Sequence, residues 1–259
     1  MKIIIIITTC GILLKCQAQN LVVNGSFASP AVTNAIKWQF FPATNLWPWQ
    51  TKETVFELWT NGIVDKIDIV TNAAYSAPGC FQNLEIQANA GTNTVWQTVP
   101  TIAGESYYFS FYHTPRAYFT SQLTVSVNSN VVASILENGS VLTNFAWNLF
   151  LTNFVANSNL TTLSFKDVNS AKPSNGTHID GVVLEHIPRL VLQYTNFSTL
   201  NGHWFGVSNE TYHLQYTTNL ASTNWSDIGT SVTGNNTTNY FSDSTTNSTQ
   251  KFYRVKIGP

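Results

Sequence analysis

A chain of 259 residues with 10% charged side chains, 13% aromatics and a formal net charge of −1 is long enough for one large or two modest domains and too apolar to stay disordered. It lacks the basic field that neutralises phosphates, which excludes a nucleic-acid binder. Asn, Thr and Ser supply most of the polarity.

Met1 to Ala18 opens with Lys2, runs apolar from Ile3 to Leu14 and ends Cys16-Gln17-Ala18, with small residues at the two positions a signal peptidase reads. This predicts a cleaved signal peptide over residues 1–18 and a secreted or cell-surface protein. The apolar run is shorter than the roughly 20 residues that span a bilayer, and no later segment is longer, so no transmembrane segment is expected. A lipoprotein acylated at Cys16 is the alternative, set against Lys15, which stands where such sites prefer a small residue. Losing Lys2 and Lys15 leaves 10 basic against 13 acidic side chains. Losing Cys10 and Cys16 leaves Cys80 alone, with no internal disulfide to form, and it reads as a small core or turn residue.

Leu21 to Val23 form a short strand before the Asn24-Gly25 turn and Phe27. Residues 31–62 are aromatic-rich and irregular, with Trp38, Phe40, Phe41, Trp47, Trp49 and Trp59 broken up by Pro42 and Pro48, and are expected to form loops covering a core. Within them Phe56 to Trp59 reads as a strand ended by Asn61-Gly62. The stretch Asn83 to Arg116 alternates with period two in three runs: Leu84 and Ile86, then Val95, Gln97 and Val99, then Tyr107, Phe109 and Phe111. Breaks at Asn89-Ala90-Gly91 and Pro100 to Gly104 predict that consecutive strands fold back antiparallel. Leu123 to Val127 and Val131 to Ile135 around Asn128-Ser129-Asn130 give a hairpin signal. Trp147 to Phe154, Thr161 to Phe165 and Ile179 to Leu184 add three strands, the last two separated by a polar loop around Pro173 to Gly176.

No stretch after the leader holds a 3.6-residue period long enough for a helix. The pattern restarts after Ile187-Pro188-Arg189 with Leu190 to Tyr194, His203 to Val207, Tyr212 to Tyr216, Thr238 to Phe241 and Phe252 to Ile257. The expected fold is therefore all-β: a β-sandwich over residues 19–187, then a small immunoglobulin- or fibronectin-III-like β-sandwich over 188–259 held by Tyr212, Trp225 and Tyr253.

The succession Asn24-Gly25-Ser26-Phe27, Trp49-Gln50-Thr51, Phe56-Glu57-Leu58-Trp59, Leu84 to Asn89, Trp96 to Val99, Gly104 with Phe109-Ser110-Phe111 and Arg116, and Ile179 to Val182 resembles secreted galactose-binding-like jelly rolls of bacterial surface and plant cell-wall proteins. It is similar, more distantly, to carbohydrate-binding modules appended to xylanases. The tail, Tyr212 to Leu220 with Trp225 and Phe252 to Val255, resembles a small C-terminal sandwich of exported bacterial proteins. In the xylanase-associated modules a Glu after the first-strand Phe and an Asp near the last strand help hold a structural calcium. Here Ala28 takes the Glu position and Asp180 remains, so the resemblance implies a calcium site at Asp180 that has lost a carboxylate. No other cofactor is expected.

Sugar recognition needs flat apolar faces for C–H surfaces and a few polar groups for hydroxyls. Trp47, Trp49 and Trp59, with Tyr112, His113, Arg116 and Tyr118 at the end of the central strand, are the candidate carbohydrate-binding residues. Against this, a Trp is more often a core residue, and His113 with Arg116 reads equally as a loop-fastening pair. Glu57 and Glu85 fall on strands and match family positions, or are simply solvated or paired. The other histidines, His178, His186, His203 and His213, have no metal-like spacing, and the chain has no nucleophile elbow, zinc-protease helix or phosphate-cradling loop, so no enzyme is expected. The expected function is non-catalytic binding of a polysaccharide or cell-wall glycan by stacking and hydrogen bonds. The contrasting expectation is a structural or adhesion protein that binds other surface proteins and no sugar.

Overall fold

The computed structural model describes residues 19–34, 36–60, 80, 82–87, 92–142, 145–168, 175–196, 198–246 and 250–258. The signal-peptide expectation and the turns expected at Asn61-Gly62, Asn89 to Gly91 and Pro173-Ser174 lie outside the described residues. The chain is all-β: among the described residues the one helical piece is a 3-10 turn, Ala43–Leu46. It packs as two compact units, one built from residues 20–103 and 108–184 and the other on residues 185–258 with Gly104–Tyr107.

In the larger unit the strands are β1 (Trp38–Pro42), β2 (Gln50–Thr51), β3 (Val55–Thr60), β4 (Gln82–Glu85), β5 (Thr92–Pro100), β6 (Ser106–Thr114), β7 (Thr120–Val127), β8 (Asn130–Asn138), β9 (Asn148–Val155), β10 (Leu160–Val168) and β11 (His178–Ile187). They form a six-stranded sheet, β1-β3-β4-β11-β6-β9, and a five-stranded sheet, β2-β5-β10-β7-β8. This is a jelly-roll sandwich, in which the chain changes sheet at almost every connection.

That topology corrects the expectation that consecutive strands of the 83–116 stretch pair. β4 and β6 lie in one sheet and β5 in the other, where it pairs with β10 and β2. The connection Thr101 to Glu105 crosses the sandwich instead of closing a hairpin, and Thr101 bonds to Ser158 O and Thr161 Oγ1 beyond β5. The 31–62 region is also more regular than expected, since β1 pairs with β3 over five residues. The β7–β8 hairpin forms as read, with Asn128 in the left-handed region (φ 55°) that its short polar side chain tolerates.

The core lies between the sheets. Phe109 and Phe111 of β6 meet Phe165 of β10 at ring distances of 6.2 and 4.9 Å, and Trp49 closes on Phe165 at 6.1 Å and on Phe27 at 5.2 Å. Leu58, Leu84, Leu123, Val125, Leu163 and Ile179 fill the same layer. Each such side chain contributes about 1.5–3 kcal/mol by leaving water.

The smaller unit holds β12 (Val191–Asn196), β13 (Thr199–Gly206), β14 (Thr211–Thr217), β15 (Ser226–Asp227), β16 (Val232–Thr233), β17 (Thr237–Ser244) and β18 (Phe252–Ile257). β12-β13-β17 make one sheet, and β15-β14-β16 with β18 on β14 make the other. Leu190, Leu200, Trp204, Tyr212, Leu214, Tyr253, Val255 and Ile257 form its core. The Tyr212 hydroxyl accepts from Val207 N at 2.9 Å, tying its own strand to the preceding turn. Trp225, expected in this core, is instead half-buried under the Arg254 guanidinium at 4.3 Å, and Trp204 fills the position.

Candidate functional site

Because β3 alternates, Phe56 and Leu58 enter the core and Glu57 and Trp59 take the opposite side of the six-stranded sheet. Register then builds a grid on that outer side. One row runs Phe40, Glu57, Glu85, His178 across β1, β3, β4 and β11, and the next runs Trp38, Trp59, Asn83. Neighbours within a row sit about 4.8 Å apart. Trp38 stacks on Trp59 at 6.2 Å and 27°, and meets Phe40 edge-on at 5.3 Å, so three rings lie side by side at one end of the face. Phe40 is 41% exposed, while Trp38 and Trp59 are half-buried.

Two carboxylates stand in the middle of the grid. The Trp59 Nε1–H is shared between Glu57 Oε1 and Glu85 Oε2, both at 3.1 Å. Arg116, two residues past β6, reaches Glu85 with Nη1 at 2.9 and 2.7 Å from its two oxygens, and its guanidinium lies 4.8 Å from the centre of the Trp59 ring. Gly176 N donates to Glu85 Oε1 at 2.8 Å. Gly176 has to be glycine, since a Cβ there would lie 2.7 Å from Asp167 Oδ2 and 2.9 Å from Gln87 Cβ.

Burial pushes the Glu57 carboxyl up to about 8, and the neighbouring Glu85 charge adds to the rise. Burial raises Glu85 to about 7, with Arg116 opposing it. Two adjacent carboxyls sharing one guanidinium hold a proton at neutral pH, and the Arg116 contacts leave it on Glu57. Glu85 is thus the more acidic of the two, its oxygens accepting from Arg116, Trp59 and Gly176. Glu57 is the member that holds its proton to higher pH.

The far side of the cluster is aromatic. Phe145 lies 4.4 Å from the His178 ring and 6.2 Å from Trp59, with Trp147 at 6.0 Å from Phe145. His178 is fully buried, and burial followed by the nearby Arg116 charge drives its pKa well below the usual value. Its neutral ring bonds Asn83 Oδ1 through Nδ1 at 2.8 Å and leaves Nε2 without a hydrogen-bond partner, 3.8 Å from Glu85 Oε2. Trp147 Nε1 is likewise buried and without a hydrogen-bond partner. One donor and one acceptor therefore remain unsatisfied beside the carboxyl pair, each costing roughly 1–3 kcal/mol until something bonds it.

The residues expected from sequence divide sharply. Trp59 and Arg116 meet in this cluster. Trp49 is corrected to a core residue: it is 1% exposed, wedged between Phe27 and Phe165, and donates Nε1 to Asn24 O at 3.2 Å, so neither ring face is open to a ligand. His113 points inward and forms a short hydrogen bond with Glu137 of β8, which separates it from Arg116. Trp47 is 74% exposed at the end of the 3-10 turn. Tyr118 is exposed, its backbone N bonded to Gly139 O at 2.7 Å. Tyr112 is half-buried with its ring against Gly181.

Asp180 is fully buried; its Oδ1 accepts from Gly181 N at 2.7 Å, and burial followed by Asp180 pushes the Cys80 thiol up to about 12. A hard cation takes six to eight oxygens. With a thiol beside Asp180 and Ala28 offering no carboxylate, the residues do not fit a calcium ion. Among the described residues no group of three or more His, Cys, Asp or Glu side chains is placed to hold a metal.

Trp38, Phe40, Asn83, Phe145, Trp147, Gly176 and His178 complete the face and were missed in the sequence. The alternation of Trp38 and Phe40 was a signal for the first two. The others arrive from segments with no local mark.

No protein-family model matches the chain, and no curated protein matches its sequence. Among solved structures the chain is similar to the enzymatically active domain of tailspike protein 4 of bacteriophage CBA120, at 17% identity over 65% of this chain and 21% of that one, with a TM-score of 0.36. It is similar to a family 35 carbohydrate binding module from Clostridium thermocellum, at 13% identity over 57% of this chain and 96% of that one, with a TM-score of 0.33. It is also similar to TmCBM61 in complex with beta-1,4-galactotriose, at 11% identity over 65% of this chain and 99% of that one, with a TM-score of 0.38. The chain spans about a fifth of the tailspike domain.

Proposed function

We propose that this is a non-catalytic carbohydrate-binding protein that holds a polysaccharide or cell-wall glycan on the outer side of the six-stranded sheet. The observation that carries the reading is the pairing, on one sheet face, of three adjacent rings with hydrogen-bonding groups that still have capacity. Trp38, Phe40 and Trp59 offer flat surface to sugar C–H groups. Beside them Trp147 Nε1 and His178 Nε2, buried and without a hydrogen-bond partner, offer one donor and one acceptor to hydroxyls that reach them. The face is held by sheet register and by the Trp59–Glu85–Arg116 bonds, so binding orders little.

In this reading residues 1–18 direct export to the outside or the cell surface, residues 19–187 form the galactose-binding-like jelly roll and residues 188–259 the fibronectin-III- or immunoglobulin-like appendage. Among the described residues no helix is long and apolar enough to cross a membrane. Tyr112, Trp47 and Tyr118 stay as contacts for a longer chain of sugars.

A second reading has its own observation. β9 is an edge strand of the six-stranded sheet and exposes Leu149 (50%), Leu151 (53%) and Val155 (61%), an apolar strip suited to adhesion to another surface protein. A glycan array probed with the wild-type chain, Trp38→Ala and Leu151→Lys separates the two. Signal on specific glycans that falls in Trp38→Ala and survives in Leu151→Lys supports sugar binding. An array without signal for the wild type removes it and leaves adhesion.

A further inference from the structure

We infer that the smaller unit carries a second, independent glycan-binding face on the outer side of its three-stranded sheet, selective for neutral sugars. In β13 the Leu200 and Trp204 side chains turn to the core, with Gly202 and Gly206 at the same register, so Asn201, His203 and Phe205 turn out. Register sets two rows across the three strands: Val191, His203, Tyr240 and, one pleat along, Gln193, Asn201, Ser242. The rows lie about 7 Å apart and their members about 4.8 Å apart.

The first row ends in an aromatic pair, His203 and Tyr240, with ring centres 5.7 Å apart and planes at 43°. Tyr240 is 76% exposed, the most open aromatic among the described residues. The second row is amide, amide and hydroxyl, with the Asn201 side-chain N–H bonded to Thr195 Oγ1 and thereby oriented. Thr238 and Ser244 on β17 extend the polar border. None of these positions is Asp, Glu, Lys or Arg, in a unit where Asp243, Lys251 and Arg254 are all engaged elsewhere.

The open Tyr240 ring, backed by the tilted, half-buried His203 and set beside an uncharged row of amides and hydroxyls, complements a polyhydroxylated ligand that presents an apolar ring face and no charge. It complements neither a phosphate nor a uronate, for which a guanidinium or ammonium would be in place. Two weak faces on one chain multiply retention on a long polysaccharide without further contacts.

The test is an amide-resolved NMR titration of the full chain with cellohexaose, xylohexaose and mannohexaose, on the wild type, Tyr240→Ala and a Trp38→Ala/Phe40→Ala double variant. The inference predicts saturable shifts at residues 201–205 and 238–242 with at least one sugar. These shifts persist in the double variant and weaken about tenfold or more in affinity in Tyr240→Ala. Shifts confined to residues 38–60 and 82–85 would overturn this inference and leave the larger unit's site standing. Shifts at 201–242 that survive Tyr240→Ala, or that grow with protein concentration in the absence of sugar and so report a second copy on this face, also overturn it. No shift anywhere with the three sugars overturns it too, and the glycan array then decides separately whether the first site binds sugar.

Discussion

The six-stranded sheet has two sides made by the same strands, and they spend their side chains in opposite ways. On β3, Phe56 and Leu58 go to one side, where they join Phe109, Phe111 and Phe165 in a layer that gains from excluding water. Glu57 and Trp59, one residue along, go to the other, where two carboxyls and an imidazole are almost as deeply buried and gain far less from it. Depth of burial therefore does not separate core from site in this molecule. What marks the outer side is its chemistry: it gathers Glu57, Glu85 and Arg116 with the unmatched Trp147 Nε1 and His178 Nε2.

The largest effect should come from the inner side. Phe111→Ala removes a ring packed at 4.9 Å on Phe165 and 5.0 Å on Phe150, and is expected to cost about 3–5 kcal/mol in urea unfolding, with no pH dependence of its own. Arg116→Leu on the outer side leaves Glu85 buried without its cation; we expect a loss of roughly 2–4 kcal/mol at pH 8 and a smaller one at pH 5, where Glu85 takes a proton. A pH-independent loss would mean that Arg116 acts by packing alone. Gly176→Ala forces a methyl against Asp167 and Gln87 and should cost about 1–3 kcal/mol by the same unfolding measurement.

The comparison also fixes a sign with pH. Glu57, Glu85 and Asp167 have folded-state pKa values raised to about 8, 7 and 6, in each case chiefly by burial. The folded chain therefore binds more protons than the unfolded one across that range. The stability these groups contribute is complete below about pH 4 and is lost as pH rises towards 8. Urea midpoints measured from pH 5 to 8.5 should fall, and Glu57→Gln, which cannot ionise, should flatten the upper part of the curve. A wild-type midpoint that rises over that interval would contradict the raised carboxyls.

How much of this the sequence disclosed depends on the range of the interaction. Alternation inside β4, β5 and β6 was legible residue by residue, and so was the all-β class. Pairing was not. Glu57 meets Glu85 through the register of β3 on β4, and the 101–105 connection crosses the sandwich where a hairpin was expected. Trp38 and Phe40 were hidden because Pro42 and Pro48 made their surroundings read as loop, although Pro42 merely ends an edge strand, where no ladder N–H is required. Trp49 and Trp59 look alike in sequence; one fills the core beside Phe27 and the other faces the carboxyls. His178 joins the site because β11 lies beside β4, and Phe145 and Trp147 arrive from the segment that leads into β9.

Retention of the full chain on insoluble neutral polysaccharides, compared between wild type and the Trp38→Ala/Phe40→Ala double variant, tests the account at its centre. These two side chains lie on the rim of the outer face and take no part in the carboxyl cluster's hydrogen bonds, so the double variant should fold with a thermal midpoint close to wild type. The account predicts retention of the wild type on at least one polysaccharide and a loss of about tenfold or more in affinity for the double variant. Equal retention of the two proteins would contradict it, because the rings would then be surface without a ligand.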